Sequence, residues 1–217
     1  MNYRDSRQAI VEKNKGLRDK RTTLAKAVSM IQDGDHVAVG GLQYTRTPVG
    51  ALWEIIRQKR KNLTIYKPLM SFDGDWLFVS GVMGKAVTSW FSGGVTWGVS
   101  KIMRSFAEAD PSTFEELSLL GLSLRLKAGA MGIPCIPTKS MLGSDLEKTA
   151  GLKRFTCPYS GEELLLVPAV NPDVAIIHSQ VADMYGNGQI FGPPCLDLES
   201  AKAANKVILT TEQIVDN

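Results

Sequence analysis

Glycine-rich turns that directly follow short apolar segments are the feature of this sequence best suited to chemistry. Gly40-Gly41-Leu42 follows the apolar run His36–Val39, and Ser92-Gly93-Gly94 follows a strand predicted near Lys85–Trp90. A third turn, Met70-Ser71-Phe72-Asp73-Gly74, lies between them. Glycine permits positive φ and close approach of the backbone, so such turns can direct amide groups at an oxyanion or a phosphate. Tight turns without a ligand are the alternative interpretation.

Several well-known cofactor and catalytic motifs do not occur in the sequence. Without GxGxxG after the first strand or GxxxxGK[ST], neither a dinucleotide site nor a P-loop is supported, and no GxSxG elbow is present. Cys135, Cys157 and Cys195 form no CxxC pair, so we expect no metal site. His36 enters a strand and His178 closes one, positions more typical of structural histidines.

Glu115-Glu116 is the carboxylate pair placed near a predicted strand–helix transition. Two positioned carboxyl groups are able to act as an acid and a base, or one of them as a nucleophile. Exposed glutamate pairs are nevertheless common on protein surfaces, so a surface role is the alternative.

The order of the predicted elements supplies a scaffold for these turns. A helix over Thr22–Gln32, the strand His36–Val39, a helix after Thr47-Pro48 and a strand over Asn62–Tyr66 alternate along the chain. This alternation predicts an α/β fold, an open, mostly parallel twisted sheet with covering helices. Ligands bind such sheets beyond the carboxyl ends of the strands, which is where all three turns are predicted to lie.

The remainder of the chain extends this pattern with two differences. Leu119–Met131 is predicted to be a helix, and Thr138–Phe155 a long polar connection of the kind that is often functional. In the last third, Val174–His178 and Lys206–Thr210 are predicted strands. Tyr185–Gly188 is a turn of the hairpin type, so hairpin strands are expected there.

Composition limits the classes of function. The chain has 25 Lys and Arg against 22 Asp and Glu, which is too balanced to indicate a nucleic-acid partner. Basic residues cluster in residues 1–21, which we interpret as a charged, helical N-terminal arm before a single domain over residues 22–217. No apolar run approaches the length of a membrane span, and sparse cysteines are typical of a reducing cytoplasm. We therefore expect a soluble, cytoplasmic protein with neither a membrane nor a nucleic-acid partner.

Residues 33–48 carry a resemblance to a known family. Asp33-Gly34, the following strand, Gly40-Gly41-Leu42 and Arg46-Thr47-Pro48 resemble the Asp-Gly, strand, Gly-Gly-Phe and Gly-x-Pro signature of class I coenzyme A transferases. Leu replaces the Phe and Arg replaces the Gly of that signature. An Arg two residues before the Pro is similar to the glutaconate CoA-transferase branch rather than the 3-oxoacid branch.

Five further segments, in the same order, resemble the alpha subunit of the glutaconate CoA-transferase type: 126–134, 137–145, 172–178, 182–187 and 203–208. Each segment alone is a weak match, but their common order makes the resemblance specific. Members of the family continue past the stretch that corresponds to Thr211–Val215, so this chain is expected to be shorter than they are.

The resemblance implies a mechanism and a partner. In such transferases a glutamate attacks an acyl-CoA thioester, an enzyme–CoA thioester forms, and CoA passes to a second carboxylic acid. That glutamate belongs to the beta subunit, and nothing in this chain resembles its motif. The implied assembly is an (alpha-beta)n hetero-oligomer that uses CoA as a substrate and has no permanently bound cofactor.

The resemblance also implies roles for individual residues. Gly40 and Gly41 would form part of an oxyanion-stabilising wall at the subunit interface. The expected substrate-binding residues are Leu42, Arg46, Met70, Ser71, Ser92, Gly93 and Gly94.

Two alternatives remain open at this point. Some relatives in this family hydrolyse or decarboxylate an acyl-CoA, the hydrolases with a glutamate of the alpha-like subunit, for which Glu115 or Glu116 would be the candidates here. The other alternative is a non-catalytic, structural partner subunit.

Overall fold

The computed structural model describes residues 3–216, so Met1 and Asn2 of the predicted arm and Asn217 of the predicted domain lie outside the described residues. The strands are, in chain order, β1 (His36–Val39), β2 (Leu63–Tyr66), β3 (Leu69–Met70), β4 (Met83–Thr88), β5 (Trp90–Phe91), β6 (Phe114–Glu116), β7 (Cys135–Thr138), β8 (Lys153–Thr156), β9 (Glu163–Pro168), β10 (Val174–Asp183), β11 (Gly188–Gln189) and β12 (Lys206–Val215).

The α-helices are α1 (Tyr3–Glu12), α2 (Leu24–Val28), α3 (Val49–Arg57), α4 (Phe72–Val79), α5 (Gly94–Trp97), α6 (Lys101–Ala109), α7 (Leu119–Met131), α8 (Asp145–Thr149) and α9 (Asp197–Ala203). None of the helices between residues 3 and 216 is both long and apolar enough to cross a bilayer.

In the main sheet, the strand order changes direction beside β1. The strands run β12-β10-β1-β2-β4-β6, all parallel, and β11 pairs antiparallel with the second half of β10. From β1 the chain first builds outward through β2, β4 and β6, and it returns to the other side of β1 only with β10. In open α/β sheets the ligand crevice lies at such a point, outside the carboxyl ends of the strands.

Both faces of this sheet are covered, which explains why β1 reads as a continuous apolar run. Val37 and Val39 face a core that α2, α3 and α4 complete, whereas Ala38 faces a second core built from α7, α9 and β9. The apolar helix positions that fill these cores include Leu52, Ile55, Leu77, Leu122 and Leu126. The predicted open, mostly parallel α/β sheet with hairpin strands in the last third is confirmed.

Several predicted boundaries are wrong, each for an identifiable reason. The helix predicted over Thr22–Gln32 is limited to α2, because the chain turns at Ser29 to reach Asp35 and β1. The predicted connection Thr138–Phe155 contains the short helix α8 and most of β8, which pairs with β9 in a small antiparallel sheet. β10 and β12 extend to Asp183 and Val215, because they pair with each other along their whole length.

The N-terminal segment is a helix followed by an extended stretch that contacts the domain. In α1, Ser6 is buried. Beyond α1, the Lys13 Nζ donates to the Asn205 carbonyl over 3.1 Å, and the Lys20 N–H donates to the Met184 carbonyl over 2.8 Å. The helix predicted for the arm is therefore present over Tyr3–Glu12, whereas the division of the chain into an arm and one domain stays a prediction.

Two helix glycines provide a test of how closely the layers pack. A Cβ added at Gly129 of α7 would lie 2.1 Å from the Val170 carbonyl oxygen, whereas one at Gly50 of α3 would meet only the Leu24 Cδ2 at 3.8 Å. We expect Gly129→Ala to lower the free energy of unfolding by about 2–3 kcal/mol through overpacking. Gly50→Ala should raise it by about 0.4–1 kcal/mol, because alanine restricts the unfolded chain.

Urea unfolding followed by circular dichroism measures both variants against the wild type. Equal stability of the two variants would contradict the close packing of α7 on the segment before β10.

Candidate active site

Three loops meet at the carboxyl end of the sheet, next to the switch in strand order. The loop after β1 begins with Gly40, the loop between β3 and α4 contains Ser71, and the loop after β5 begins with Ser92. β3 and β5 pair side by side, with Met70 opposite Phe91, which brings Ser71 and Ser92 next to each other. The Gln43 Nε2 donates to the Ser92 carbonyl over 3.4 Å and joins the first loop to the third. The structure therefore brings the three sequence-predicted loops together. The turn predicted over Met70–Gly74 is limited to Ser71, because Met70 ends β3 and Phe72 begins α4.

Gly40 and Gly41 are required for close packing of the first loop. A Cβ at Gly40 would lie 2.6 Å from the Asp197 Oδ1, and one at Gly41 would lie 2.6 Å from the Thr45 carbonyl oxygen. Gly41 also has a φ of +84°, which side-chain-bearing residues rarely adopt. A bare backbone is thus needed at both positions, as the sequence indicated.

The amide groups of these glycines are already in use. The Gly40 N–H donates to the Ile176 carbonyl over 2.8 Å, and the Gly41 N–H donates to the Asp197 Oδ1 over 2.8 Å. Neither N–H is therefore open to an oxyanion in this arrangement. Both glycines are buried, and the missing side chains let the loop pack closely against Asp197 and against residues 45 and 46 of its own turn.

The side chain of Arg46 is buried beneath the loop after β1 and is not open to a substrate. Its side chain is 3% exposed and forms an ion pair with Asp197, whose side chain is also 3% exposed. The other terminal nitrogen of the guanidinium donates to the Pro193 carbonyl. Sequence reasoning placed Arg46 among the substrate-binding residues, but its partner lies 151 residues away, and only the tertiary structure shows that the pair is internal.

Lys67 was missed by sequence reasoning. It follows β2 directly and is completely buried. Its Nζ donates to the Asp73 Oδ2 over 2.7 Å, to the Thr47 Oγ1 over 2.9 Å and to the Gln43 carbonyl over 3.2 Å. A charged residue that directly follows a buried strand at its carboxyl end was the available signal, because parallel sheets place that position at the ligand crevice.

The second loop contributes one polar group without a partner. Met70 is buried in the core, so its side chain is not available to a ligand at this site. The Ser71 N–H donates to the Asp73 Oδ1 over 3.0 Å. The Ser71 Oγ is buried and has no hydrogen-bond partner within the described part of the chain.

The third loop is a self-contained turn. The Ser92 Oγ accepts the Gly94 N–H over 2.9 Å and donates to the Gly98 carbonyl over 2.8 Å. A Cβ on Gly93 would lie 2.5 Å from the Trp97 Cβ, and Gly94 has a φ of +80°. Leu42, in the first loop, is half-buried and pairs with Thr45 in an isolated bridge.

Glu115 lies away from these loops, in an ionic triad on the α7 face of the sheet. Its Oε2 accepts from the Lys85 Nζ over 2.8 Å, and its Oε1 accepts from the Arg125 Nη1. Burial raises the pKa of this carboxyl group, but the ion pairs with Arg125 and Lys85 outweigh burial, and the net pKa lies below its ordinary value. An anion neutralised by two cations is a poor base or nucleophile. Glu116 is exposed at the end of the edge strand β6.

The two histidines make structural contacts. The His36 Nδ1 is 2.8 Å from the Tyr66 hydroxyl, and burial lowers the pKa of this imidazole and raises the pKa of Tyr66 to about 12. The His178 Nδ1 is 2.9 Å from the Thr210 Oγ1 on the neighbouring strand. Within residues 3–216, no three His, Cys, Asp or Glu side chains are grouped to hold a metal ion.

The ion pair beneath the glycine loop yields a stability prediction. Asp197→Asn removes one charge of a buried pair and leaves Arg46 uncompensated, so we expect the free energy of unfolding to fall by about 3–5 kcal/mol. Glu162→Gln is the matched control, because it breaks an ion pair with Lys139 in which both side chains are more than half exposed. The control should change stability little. Chemical denaturation measures the free energy of unfolding of both variants. Equal losses in the two variants would show that Asp197 does not anchor the loop.

Comparison with known proteins agrees with this architecture. The family model described as Coenzyme A transferase matches residues 21–217. The A subunit of a 3-oxoadipate CoA-transferase from Pseudomonas knackmussii is 35% identical over 199 residues, covering 90% of this chain and 70% of that protein. An uncharacterized protein from Archaeoglobus fulgidus is 40% identical over 205 residues, covering 94% of this chain and 46% of that protein.

A solved structure gives the same result. The crystal structure of glutaconate coenzyme A-transferase from Acidaminococcus fermentans superposes with a TM-score of 0.84 at 30% identity, covering 89% of this chain and 67% of that one. This chain thus spans less than half of the Archaeoglobus relative and about two thirds of the other two proteins. The resemblance found in the sequence is confirmed, and the chain belongs to the coenzyme A transferase family.

Proposed function

We propose that this chain is the alpha-type subunit of a two-subunit coenzyme A transferase, which moves CoA from an acyl-CoA to a free carboxylic acid. The observation that carries the proposal is the convergence of the Gly40, Ser71 and Ser92 loops at the switch point of a coenzyme A transferase fold. Relatives named as the A subunits of 3-oxoadipate and glutaconate CoA-transferases support a dicarboxylic acid as one substrate.

The hydrogen bonds and ion pairs of the carboxylates near the three loops support a nucleophile from a second polypeptide. Asp73 is paired with the buried Lys67, and Asp197 with Arg46 and the Gly41 N–H. Asp75 accepts a hydrogen bond from the Ser100 hydroxyl. Asp73 and Asp197 are therefore committed to cations inside the chain, and the proposed assembly is an (alpha-beta)n hetero-oligomer whose beta subunit supplies a glutamate.

The proposed reaction proceeds through covalent catalysis. The partner's glutamate attacks the thioester carbonyl, the CoA thiolate leaves, and an acyl–glutamyl anhydride remains. The thiolate then attacks the glutamyl carbonyl and releases the first acid, which leaves CoA on the enzyme as a thioester. A second carboxylate reverses these steps and departs as the new acyl-CoA. Coenzyme A is thus a substrate, and no permanently bound cofactor is required.

This chain contributes shape to the reaction site. Gly40 and Gly41 let the first loop pack tightly against Asp197, and the Ser71 and Ser92 loops lie beside it at the proposed site. We assign substrate contacts to Leu42 and Gly94, which are only partly buried. We propose a supporting role for the buried residues Arg46, Met70, Ser71, Ser92 and Gly93. Three free cysteines support a reducing, cytoplasmic location for the complex.

Trapping the covalent intermediate tests which subunit carries the reactive glutamate. The complex co-purified with its partner is incubated with glutaconyl-CoA or 3-oxoadipyl-CoA without an acceptor acid, and each chain is then weighed by mass spectrometry. We expect the mass of CoA to appear on the beta subunit, since its glutamate carries the thioester. An adduct on this chain would contradict the proposal, as would acid release without any adduct.

Substitution of the glutamate pair tests the hydrolase and decarboxylase alternative. Glu115→Gln and Glu116→Gln should each leave more than about a tenth of the transfer rate, because neither carboxylate lies in the proposed site. A positioned acid or base would instead lose about 10²–10⁴-fold in rate. Steady-state rates on complexes of verified folding measure the effect. A collapse for either variant would favour the alternative in which this chain carries the reactive carboxylate.

A further inference from the structure

The completely buried Lys67 joins the loops of the proposed site. We infer that Lys67 is a positioning residue, which fixes the loop after β1 relative to the loop before α4 without touching the substrate; this inference rests on the proposed function. Lys67 directly follows β2, and its side chain has no solvent-exposed surface.

The ammonium group has its three donors satisfied by three acceptors. Two of these acceptors, the Gln43 carbonyl and the Thr47 hydroxyl, belong to the first loop, at 3.2 and 2.9 Å. The third, the Asp73 Oδ2, lies at 2.7 Å in the first turn of α4. The other oxygen of Asp73 accepts the Ser71 N–H. One cation therefore fixes the distance between the two loops.

The third loop is connected through the same residue of the first loop. The Gln43 side chain donates to the Ser92 carbonyl, while the Gln43 carbonyl accepts from both Lys67 and the Thr47 hydroxyl, the latter over 2.9 Å. Gln43 has a φ of +52°, an uncommon conformation for a residue with a side chain. The Lys67 contacts thus hold the backbone of the residue that reaches across to Ser92.

Stability alone does not explain a lysine at this position. Removing an ammonium and a carboxylate from water costs several kcal/mol for each ion, and apolar residues of similar size often replace such pairs without loss. What an apolar pair cannot do is bind the Gln43 carbonyl and the Thr47 hydroxyl in a fixed direction. A shift of about 1 Å in a positioning group can cost about 10²-fold in rate.

The first test removes one acceptor and leaves the ion pair. Thr47→Val keeps the shape of the side chain but removes the hydroxyl that binds Lys67, and Thr47→Ser is the matched control because it keeps that hydroxyl. In the complex with the beta subunit, we expect Thr47→Val to lower kcat about 10–100-fold. KM should change less than about threefold, because uniform binding is retained. Thr47→Ser should restore kcat to within about threefold of the wild type.

A second variant separates positioning from folding. Lys67→Met combined with Asp73→Asn removes both charges and keeps an oxygen for the Ser71 N–H. We expect the thermal midpoint and partner binding to remain near those of the wild type while kcat falls as in Thr47→Val. Wild-type kcat per folded complex in the double variant, or equal kcat for Thr47→Val and Thr47→Ser, would overturn the inference.

Hydrogen–deuterium exchange of the same complexes gives a result that does not depend on the reaction. Amides of residues 41–47 and 71–74 should exchange faster in Thr47→Val and in the double variant, but not in Thr47→Ser. If the wild-type complex transfers no CoA, the proposed function fails, and exchange alone then decides the inference. Unchanged exchange in both loops would show that Lys67 does not hold them.

Discussion

The carboxylate of Asp197 holds the first site loop in place. It accepts the Gly41 N–H and the Arg46 guanidinium at once, in a location sealed from solvent. Asp197 starts α9, which lies between β10 and β12 in the chain, so the loop after β1 depends on an element that forms only when the last third of the chain has folded. The absence of a side chain at Gly40 follows from the same contact, because a Cβ there would lie 2.6 Å from Asp197.

The helices and strands could be predicted from local sequence patterns. The contacts of the site residues could not, because they are made to other elements of the fold. β1 and α7 have the bounds predicted from apolar periodicity, and the convergence of the three loops followed from the rule for parallel sheets. Arg46 could not be placed in this way, whereas the position of Lys67 directly after β2 was open to the same rule even though its partners were not. Their roles depend on Asp197, 151 residues away, and on a turn of α4, neither of which leaves a periodic signal. The extension of β10 and β12 likewise follows from their mutual pairing rather than from their partly polar sequences.

Buried and half-buried carboxylates are paired with cations in two places: on the α7 face of the sheet and at the carboxyl ends of its strands. On the α7 face, Glu115 is neutralised by Lys85 and Arg125, an arrangement that stabilises the fold and leaves no reactive carboxylate. At the carboxyl ends, Asp197 and Asp73 are likewise matched by the buried cations Arg46 and Lys67. A carboxylate paired with a cation is a weak base and a weak nucleophile, so Asp73, Asp197 and Glu115 are suited to a structural role.

The two buried cations act on the same short loop from different directions. Arg46 is held by its ion pair with Asp197. Lys67 holds the same loop through the Gln43 carbonyl and the Thr47 hydroxyl. Between these anchors, Gln43 and Arg46 both have positive φ, which costs on the order of 1–3 kcal/mol for each residue with a side chain. Such backbone persists only where its surroundings determine it more than once. The two anchors together hold the loop in a conformation that its local sequence alone would not favour.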